Sequence, residues 1–213
     1  MKEKNNKKYI LKKNPKILIF GISITLFIIF TILIKLKVTT PIDNAIESFV
    51  IGIRSNKLTN IMISITNLSR AYFLISISII LLFIIKNKRN AILIIINLIT
   101  VFLTSQLLKF IFKRVRPDGE HLISAFGYSY PSGHAMVSMA YFSFILYLIN
   151  QKIKNKLLKT ILTIITSIII FLIGFSRIYL GVHYTSDVIA GFIVSYAYLM
   201  IFYIITENNE VKL

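Results

Sequence analysis

The sequence predicts an all-helical, polytopic membrane protein built as a bundle of six transmembrane helices. Its mean hydropathy is +0.76 and 56% of its 213 residues are hydrophobic, which is far above the values of soluble domains. Six apolar runs without a charged residue follow one another, and most of them are long enough to cross a bilayer. The chain has no cysteine, which excludes disulfides and thiolate metal sites.

The apolar runs extend along most of the chain, at residues 17–34, 71–85, 91–108, 135–151, 160–176 and 188–206. A basic tail at residues 1–16 precedes the first run, and no small-residue cleavage site follows that run. We therefore interpret it as a retained first helix rather than a signal peptide. The second run is short, so we expect its span to begin within residues 60–70. Residues 17–206 form the predicted membrane domain, and residues 207–213 form a polar tail.

The segment between the first two runs has a different pattern. Apolar residues recur at helical spacing among polar ones across residues 41–65, and they include Phe49, Val50, Ile61 and Met62. This pattern predicts one or two short amphipathic helices in the membrane interface. An ordinary loop is the alternative.

The charge distribution predicts the topology. A net charge of +17 would suggest nucleic acid as a partner of a soluble protein, but here the apolar runs favour attraction to anionic lipid. With six spans, fifteen of the 25 Lys and Arg residues share the side of both termini. The positive-inside rule then places both termini in the cytoplasm. The same topology brings residues 109–134 and 177–187 together on the outer face.

A histidine and an aspartate stand out in the second of these outer segments. Asp187 is the single acidic residue between Glu120 and Glu207, and it follows His183 by four residues. On a helix both would lie on one face, so that Asp187 binds one ring nitrogen of His183 and leaves the other free as a base or nucleophile. A structural His–Asp pair, with Arg177 as an interfacial anchor, is the alternative.

Cations are concentrated in the first outer segment. The stretch from Lys109 to Arg116 carries four cations and no acid. If the helix continues, Lys109 and Arg116 fall near one face, and Pro117 ends the helix at Arg116. An anion site explains this cluster on the outer side, and a snorkelling cationic collar is the alternative.

A second histidine, His134, lies at a predicted helix start. Ser132 or Gly133 is expected to cap that helix, and free N–H groups in its first turn attract an anion. With the cations and Arg177, these groups suit a phosphoryl group in transfer. Zinc bound by two histidines and an aspartate is a competing interpretation, which the surrounding cations disfavour.

Three motifs together resemble the signature of the type 2 phosphatidic acid phosphatase family, membrane phosphatases related to vanadium haloperoxidases. They occur in the family order and with complete spacing: Lys109-x₆-Arg116-Pro117, Pro131-Ser132-Gly133-His134 and Ser176-Arg177-x₅-His183-x₃-Asp187. The resemblance covers roughly residues 91–206. It implies a lipid phosphate or diphosphate phosphatase of the cell membrane that uses no metal or other cofactor and no obligate protein partner.

The resemblance also implies a role for each motif residue. His183 is expected to form a phosphohistidine, Asp187 to orient it, and His134 to act as the general acid. The expected phosphate ligands are Lys109, Arg116 and Arg177, assisted by Ser132 and the amide of Gly133.

Several neighbouring residues are expected to lie outside this site. Asp118, Glu120 and His121 fall in the variable loop between the first two motifs. Lys113 and Arg114 are expected to add to the positive field without direct contact.

The resemblance leaves the substrate and the acceptor open. The outer-facing site and the bacterial character of the chain favour undecaprenyl diphosphate, with phosphatidic acid and phosphatidylglycerophosphate as further candidates. A phosphotransferase would use the same site with an acceptor other than water. A phospholipid-binding or transport protein would need the cations but not the His183–Asp187 pair, and it would be expected to show broken helices or internal symmetry, neither of which is visible.

Overall fold

The computed structural model describes residues 15–208, which form helices joined by loops without any strand in that range. Residues 1–14 and 209–213 of the predicted tails lie outside the described residues. The prediction of an all-helical fold is confirmed. The helices are α1 (Pro15–Lys35), α2 (Thr40–Gly52), α3 (Asn56–Asn67), α4 (Ala71–Ile84), α5 (Lys88–Phe112), α6 (Gly133–Lys152), α7 (Lys156–Tyr179) and α8 (Thr185–Asn208).

Five of the described helices, α1, α5, α6, α7 and α8, are long and apolar enough to cross a membrane. Helix α4 has only 14 residues. At 1.5 Å per residue it reaches about 21 Å, short of a hydrocarbon core of about 30 Å. Helices α3 and α4 would together make a sixth span, bent by 47° at the break between them. Neither helix begins within residues 60–70, where the sequence predicts the start of the second span.

The amphipathic segment forms the two helices α2 and α3, in agreement with the helical interpretation. Pro41 lies in the first turn of α2, and the side chain of Ser55 caps α3 by accepting the Leu58 N–H at 3.3 Å. Val50 and Met62 are buried against the segment that follows α7. The two helices therefore cover the loop that carries His183.

Helix α6 is central to the bundle and contacts α5, α7 and α8. Its residues Met136, Tyr141 and Phe144 are fully buried. Because lipid tails are as apolar as this core, close packing and hydrogen bonds between helices hold the bundle together. One such bond runs from the Ser195 hydroxyl to the Met136 carbonyl at 2.8 Å.

Side-chain contacts define two ends of the bundle. At one end Lys16 pairs with Glu207, and the Tyr147 hydroxyl donates to Glu207 at 2.6 Å. At the other end the hydroxyls of Thr31 and Tyr130 lie 2.6 Å apart, both buried. The segments 109–134 and 177–187 therefore share one end, opposite both ends of the described chain, as the sequence predicts.

Helix α8 approaches the start of α6 so closely that only glycine fits at Gly191. A Cβ there would lie 2.9 Å from the Ser132 carbonyl oxygen and 3.1 Å from the Ala135 Cβ. Beside this contact, the Ser132 N–H donates to the Asp187 carbonyl at 3.0 Å. The contact and the hydrogen bond thus set the position of the start of α6 relative to the start of α8.

Gly191→Ala is expected to destabilise the protein by about 1–3 kcal/mol, the usual cost of overpacking a close contact. The added methyl group meets backbone, which cannot rotate away as a flexible side chain would. Gly21→Ala is the matched control, because nothing lies within 4 Å of a Cβ at that position. Thermal unfolding in detergent, followed by circular dichroism, measures both variants, and equal midpoints would contradict the close approach.

Candidate active site

A cavity of about 700 Å³ opens at the loop end of the bundle, beside α4 and α5. Six of the eight predicted site residues line it: Lys109, Arg116, Gly133, His134, Arg177 and His183. The other two, Ser132 and Asp187, are fully buried beside them. The fold therefore brings together all eight residues that the motifs single out.

His183 lies in the loop between α7 and α8, so the prediction that it shares a helical face with Asp187 is wrong. Helix α8 begins at Thr185, and Asp187 lies in its first turn. The Asp187 Oδ2 accepts the Tyr184 N–H at 3.0 Å and lies 3.4 Å from the His183 Nδ1. Free N–H groups at the helix start favour the carboxylate there. The predicted pairing therefore forms at a helix start rather than along a helix.

The His183 side chain is buried, and its Nε2 lies 3.4 Å from the Arg116 Nη1. Burial, followed by the nearby cations of Lys109, Arg177 and Arg116, lowers the pKa of His183 well below its ordinary value. The imidazole is therefore neutral at neutral pH. A hydrogen bond from its Nδ1–H to Asp187 leaves the lone pair on Nε2, the nitrogen that lies beside the Arg116 guanidinium.

Lys109 and Arg116 are held by backbone carbonyls of the same loop. The Lys109 Nζ donates to the Tyr128 carbonyl at 2.6 Å, and the Arg116 Nη2 donates to the Phe126 carbonyl at 2.9 Å. Arg116 also reaches the Val182 carbonyl at 2.6 Å, next to His183. The Lys109 ammonium and the Arg116 guanidinium are thereby positioned at the polar edge of the cavity.

The helix that carries Lys109 does not continue to Arg116, so the prediction that Pro117 ends it is wrong. Helix α5 ends at Phe112, and Lys113 adopts a left-handed backbone conformation with φ of 49°. This turn redirects the chain so that Arg114 reaches two buried carboxylates. Lys109 and Arg116 consequently meet through a loop rather than along one helical face.

Arg177 is buried and bound by a helix that the motifs do not include. Its Nη1 donates to the Thr66 hydroxyl of α3 at 2.7 Å. Its buried Nε has no hydrogen-bond partner among the described residues. A buried donor without a partner costs free energy unless a ligand accepts from it, so Arg177 is suited to bind an anion.

The start of α6 carries a second buried polar group without a hydrogen-bond partner among the described residues. Of the two predicted N-caps, Ser132 takes this position, but its side chain makes no capping hydrogen bond. Within the described part of the chain its buried hydroxyl has no partner. With the N–H groups of the first turn, it fits the oxygens of an anion bound at the helix start.

Arg114 contacts the His183–Asp187 pair directly, so the expectation that it acts only through its field is wrong. Its Nη1 donates to the Asp187 Oδ1 at 2.7 Å, and its Nη2 donates to the Asp43 Oδ2 at 3.1 Å. Asp43, at the start of α2, is 3% exposed and also accepts the Ser186 hydroxyl at 2.6 Å. The sequence around Asp43 indicates only a helix start, so no local signal points to this contact.

Two of the three acidic and histidine side chains of the variable loop, Glu120 and His121, have other partners. The His121 ring bonds the Pro117 carbonyl at 2.9 Å, and Glu120 pairs with Arg54 at 3.4 Å. Neither lines the cavity, and nor does Asp118. Across residues 15–208, no three His, Cys, Asp or Glu side chains are grouped in a way that would hold a metal ion.

Between α4 and α5 the cavity continues as an apolar groove. Leu74 and Ile75 line one side, and Leu98, Ile99, Phe102 and Leu103 line the other. Four of them, Ile75, Ile99, Phe102 and Leu103, are about half exposed on the bundle surface. An amphiphile can therefore place its tail in this groove and its anionic group among the cations.

Fold and site together define a multi-pass helical membrane protein whose cationic, histidine-bearing cavity continues into an apolar groove on the bundle surface. A family model described as PAP2 superfamily matches residues 89–210. The chain therefore belongs to the PAP2 superfamily, which confirms the resemblance seen in the motifs.

Two curated relatives carry the assignment further. Phosphatidylglycerophosphatase B of Bacillus subtilis (strain 168) is 31% identical over 197 residues, which cover 88% of this chain and 94% of the relative. An undecaprenyl-diphosphatase of Sulfolobus acidocaldarius is 29% identical over 142 residues, which cover 64% of this chain and 65% of the relative. Family and relatives show that the chain is a lipid phosphatase.

Solved structures resemble the whole bundle. The crystal structure of a transmembrane PAP2-type phosphatidylglycerolphosphate phosphatase from Bacillus subtilis superposes with a TM-score of 0.80 at 29% identity, covering 90% of this chain and 96% of that one. The crystal structure of Aquifex aeolicus LpxE superposes with a TM-score of 0.58 at 22% identity, covering 73% of this chain and 92% of that one. The second likeness concerns the fold alone.

Proposed function

We propose that the protein hydrolyses the terminal phosphate of a membrane lipid through a covalent phosphohistidine, without a metal ion and on the outer face of the cell membrane. The observation that carries the proposal is the position of His183. Its ring lines a cavity bordered by three motif cations and His134, with its Nδ1 against Asp187. The outer-face assignment rests on the distribution of Lys and Arg between the two ends.

In the first step, the lone pair of the His183 Nε2 attacks phosphorus while the bond from phosphorus to the leaving oxygen breaks in line. Asp187 stabilises the Nδ1–H of the positively charged ring that forms. Lys109, Arg116 and Arg177 stabilise the charge on the non-bridging oxygens, with the Ser132 hydroxyl and the Gly133 N–H assisting. His134 takes up a proton when the anionic phosphate binds beside it, and it gives that proton to the leaving oxygen.

In the second step, water attacks the phosphohistidine. His134, neutral after the first step, accepts a proton from this water. The bond between phosphorus and Nε2 breaks, its electron pair returns to the His183 ring, and inorganic phosphate leaves. Both histidines then have their initial protonation states.

The apolar groove supports a substrate with one or more long hydrocarbon tails. The names of the two curated relatives refer to phosphatidylglycerophosphate and undecaprenyl diphosphate. We propose one of these two lipids as the substrate. The higher identity and coverage of the first relative favour phosphatidylglycerophosphate, whereas an outer-face site favours undecaprenyl diphosphate.

Phosphate release by the purified protein is expected to proceed at the same rate with and without EDTA, because the proposed mechanism uses protein cations in place of a metal ion. The assay uses phosphatidylglycerophosphate, undecaprenyl diphosphate and phosphatidic acid in detergent micelles. Vanadate is expected to inhibit, since it mimics five-coordinate phosphorus at the His183 position.

Two outcomes would contradict this proposal. Activity that is lost in EDTA and restored by Zn²⁺ would show that a metal ion takes part. Consumption of lipid phosphate without release of inorganic phosphate would indicate transfer to an acceptor other than water, as in a phosphotransferase.

A further inference from the structure

Arg70 lines the same cavity and belongs to none of the three motifs. It is the N-cap of α4, at the bend between α3 and α4, and its side chain is exposed. The guanidinium lies close enough to Arg177 and His134 to act on each electrostatically. In the described range of the chain it has no hydrogen-bond or ion-pair partner. Arg70 is therefore an available cation beside the proposed phosphate site.

Arg70 is related to both parts of the cavity. Its guanidinium is within electrostatic reach of Arg177 and His134, which border the proposed phosphate site. Leu74 and Ile75, about one turn further along α4, line the apolar groove. A lipid with its tail in the groove and its terminal phosphate at His183 can therefore place the atoms between them beside Arg70.

We propose that Arg70 binds a second phosphate group of the substrate, located between the phosphate that is removed and the lipid tail. The inference rests on the proposed function and deepens it. A guanidinium suits this task, because it can donate two parallel hydrogen bonds to phosphate oxygens.

Two lipid classes carry such a group. In a prenyl diphosphate it is the inner phosphate, and in phosphatidylglycerophosphate it is the phosphodiester. Phosphatidic acid and a prenyl monophosphate have none, since their single phosphate is the one removed. Arg70 therefore selects lipids with two phosphate groups over lipids with one.

The test compares Arg70→Ala with the wild-type protein on two matched pairs of substrates. The pairs are phosphatidylglycerophosphate with phosphatidic acid of the same acyl chains, and farnesyl diphosphate with farnesyl monophosphate. We expect kcat/KM to fall about 10- to 100-fold for the member with two phosphates, as for the loss of charge-assisted hydrogen bonds. The member with one phosphate is expected to lose much less, because for it Arg70 acts only through its field on Arg177 and His134. Arg70→Lys is expected to restore part of the loss on the member with two phosphates.

Lys57→Ala is the control for a lost charge, because Lys57 is an exposed cation on α3 that does not line the cavity. A larger fall in kcat/KM for the member with two phosphates, in either pair, supports the second phosphate site and identifies which lipid class uses it. Equal losses on both members of both pairs, or no loss on any substrate, would overturn it.

Failure of the proposed function would be recognised separately, as absence of phosphate release by the wild-type protein from every substrate. In that case the thermal stabilisation of the protein by phosphatidylglycerophosphate and by phosphatidic acid decides the question. A preference for the first lipid that disappears in Arg70→Ala supports the site, and an unchanged preference would overturn it.

Discussion

His183→Ala is expected to reduce kcat for phosphate release by at least about 10³-fold, because it removes the group that forms the covalent bond to phosphorus. Lipid binding is expected to persist, since Lys109, Arg116 and Arg177 are unchanged. The measurement is phosphate release in detergent micelles, combined with acid- and alkali-quenched labelling by a lipid with a radioactive terminal phosphate. The wild-type protein should form a labelled intermediate that survives alkali but not acid, and the variant should form none.

His121→Ala is the matched control for this experiment. It removes the histidine that bonds the Pro117 carbonyl outside the cavity, so turnover close to that of the wild type is expected. Near-normal turnover by His183→Ala would refute the assignment of the nucleophile. Labelling of that variant at another histidine would transfer the role to His134.

Arg114→Ala is expected to reduce kcat about 10²-fold with little change in KM, and to lower the thermal stability. Arg114 does not line the cavity, so the substrate loses no direct contact. Asp187 and Asp43 instead lose the cation that lies between them, and breaking a buried ion pair costs about 3–5 kcal/mol. A displaced or protonated Asp187 no longer orients the His183 ring. Steady-state kinetics and thermal unfolding, measured on the same preparation, test both effects.

Two companion variants separate positioning from the loss of a charge. Lys113→Ala removes the neighbouring cation, which lies over the Phe110 ring with its Nζ 4.9 Å from the ring centroid, and its kinetics should match the wild type. Asp43→Asn should have a smaller effect than Arg114→Ala, because Arg114 still binds Asp187. A rise in KM with unchanged kcat in Arg114→Ala would show that Arg114 contacts substrate, and it would contradict a positioning role.

Local patterns in the chain are enough to predict the helices and the motif residues of the site. Helix-forming apolar runs are set by the thickness of the bilayer and by the period of the helix, both of which are properties of short segments. Because successive loops alternate between the two ends of the bundle, Lys109, His134, Arg177 and His183 come together at one end. For this reason the cavity contains the residues that the motifs indicate.

The tertiary structure decides where the helices end and which side chains support the site. Helix α5 ends at Phe112, and His183 lies before α8, whereas local spacing predicts that both helices extend further. The Asp43–Arg114–Asp187 contacts and the Thr66–Arg177 hydrogen bond join segments that are distant in sequence. A buried charge must find a partner wherever the packing supplies one, because leaving it unpaired costs more free energy than bending the chain. Which carboxylate meets which guanidinium therefore depends on how the helices pack, and no local spacing records it.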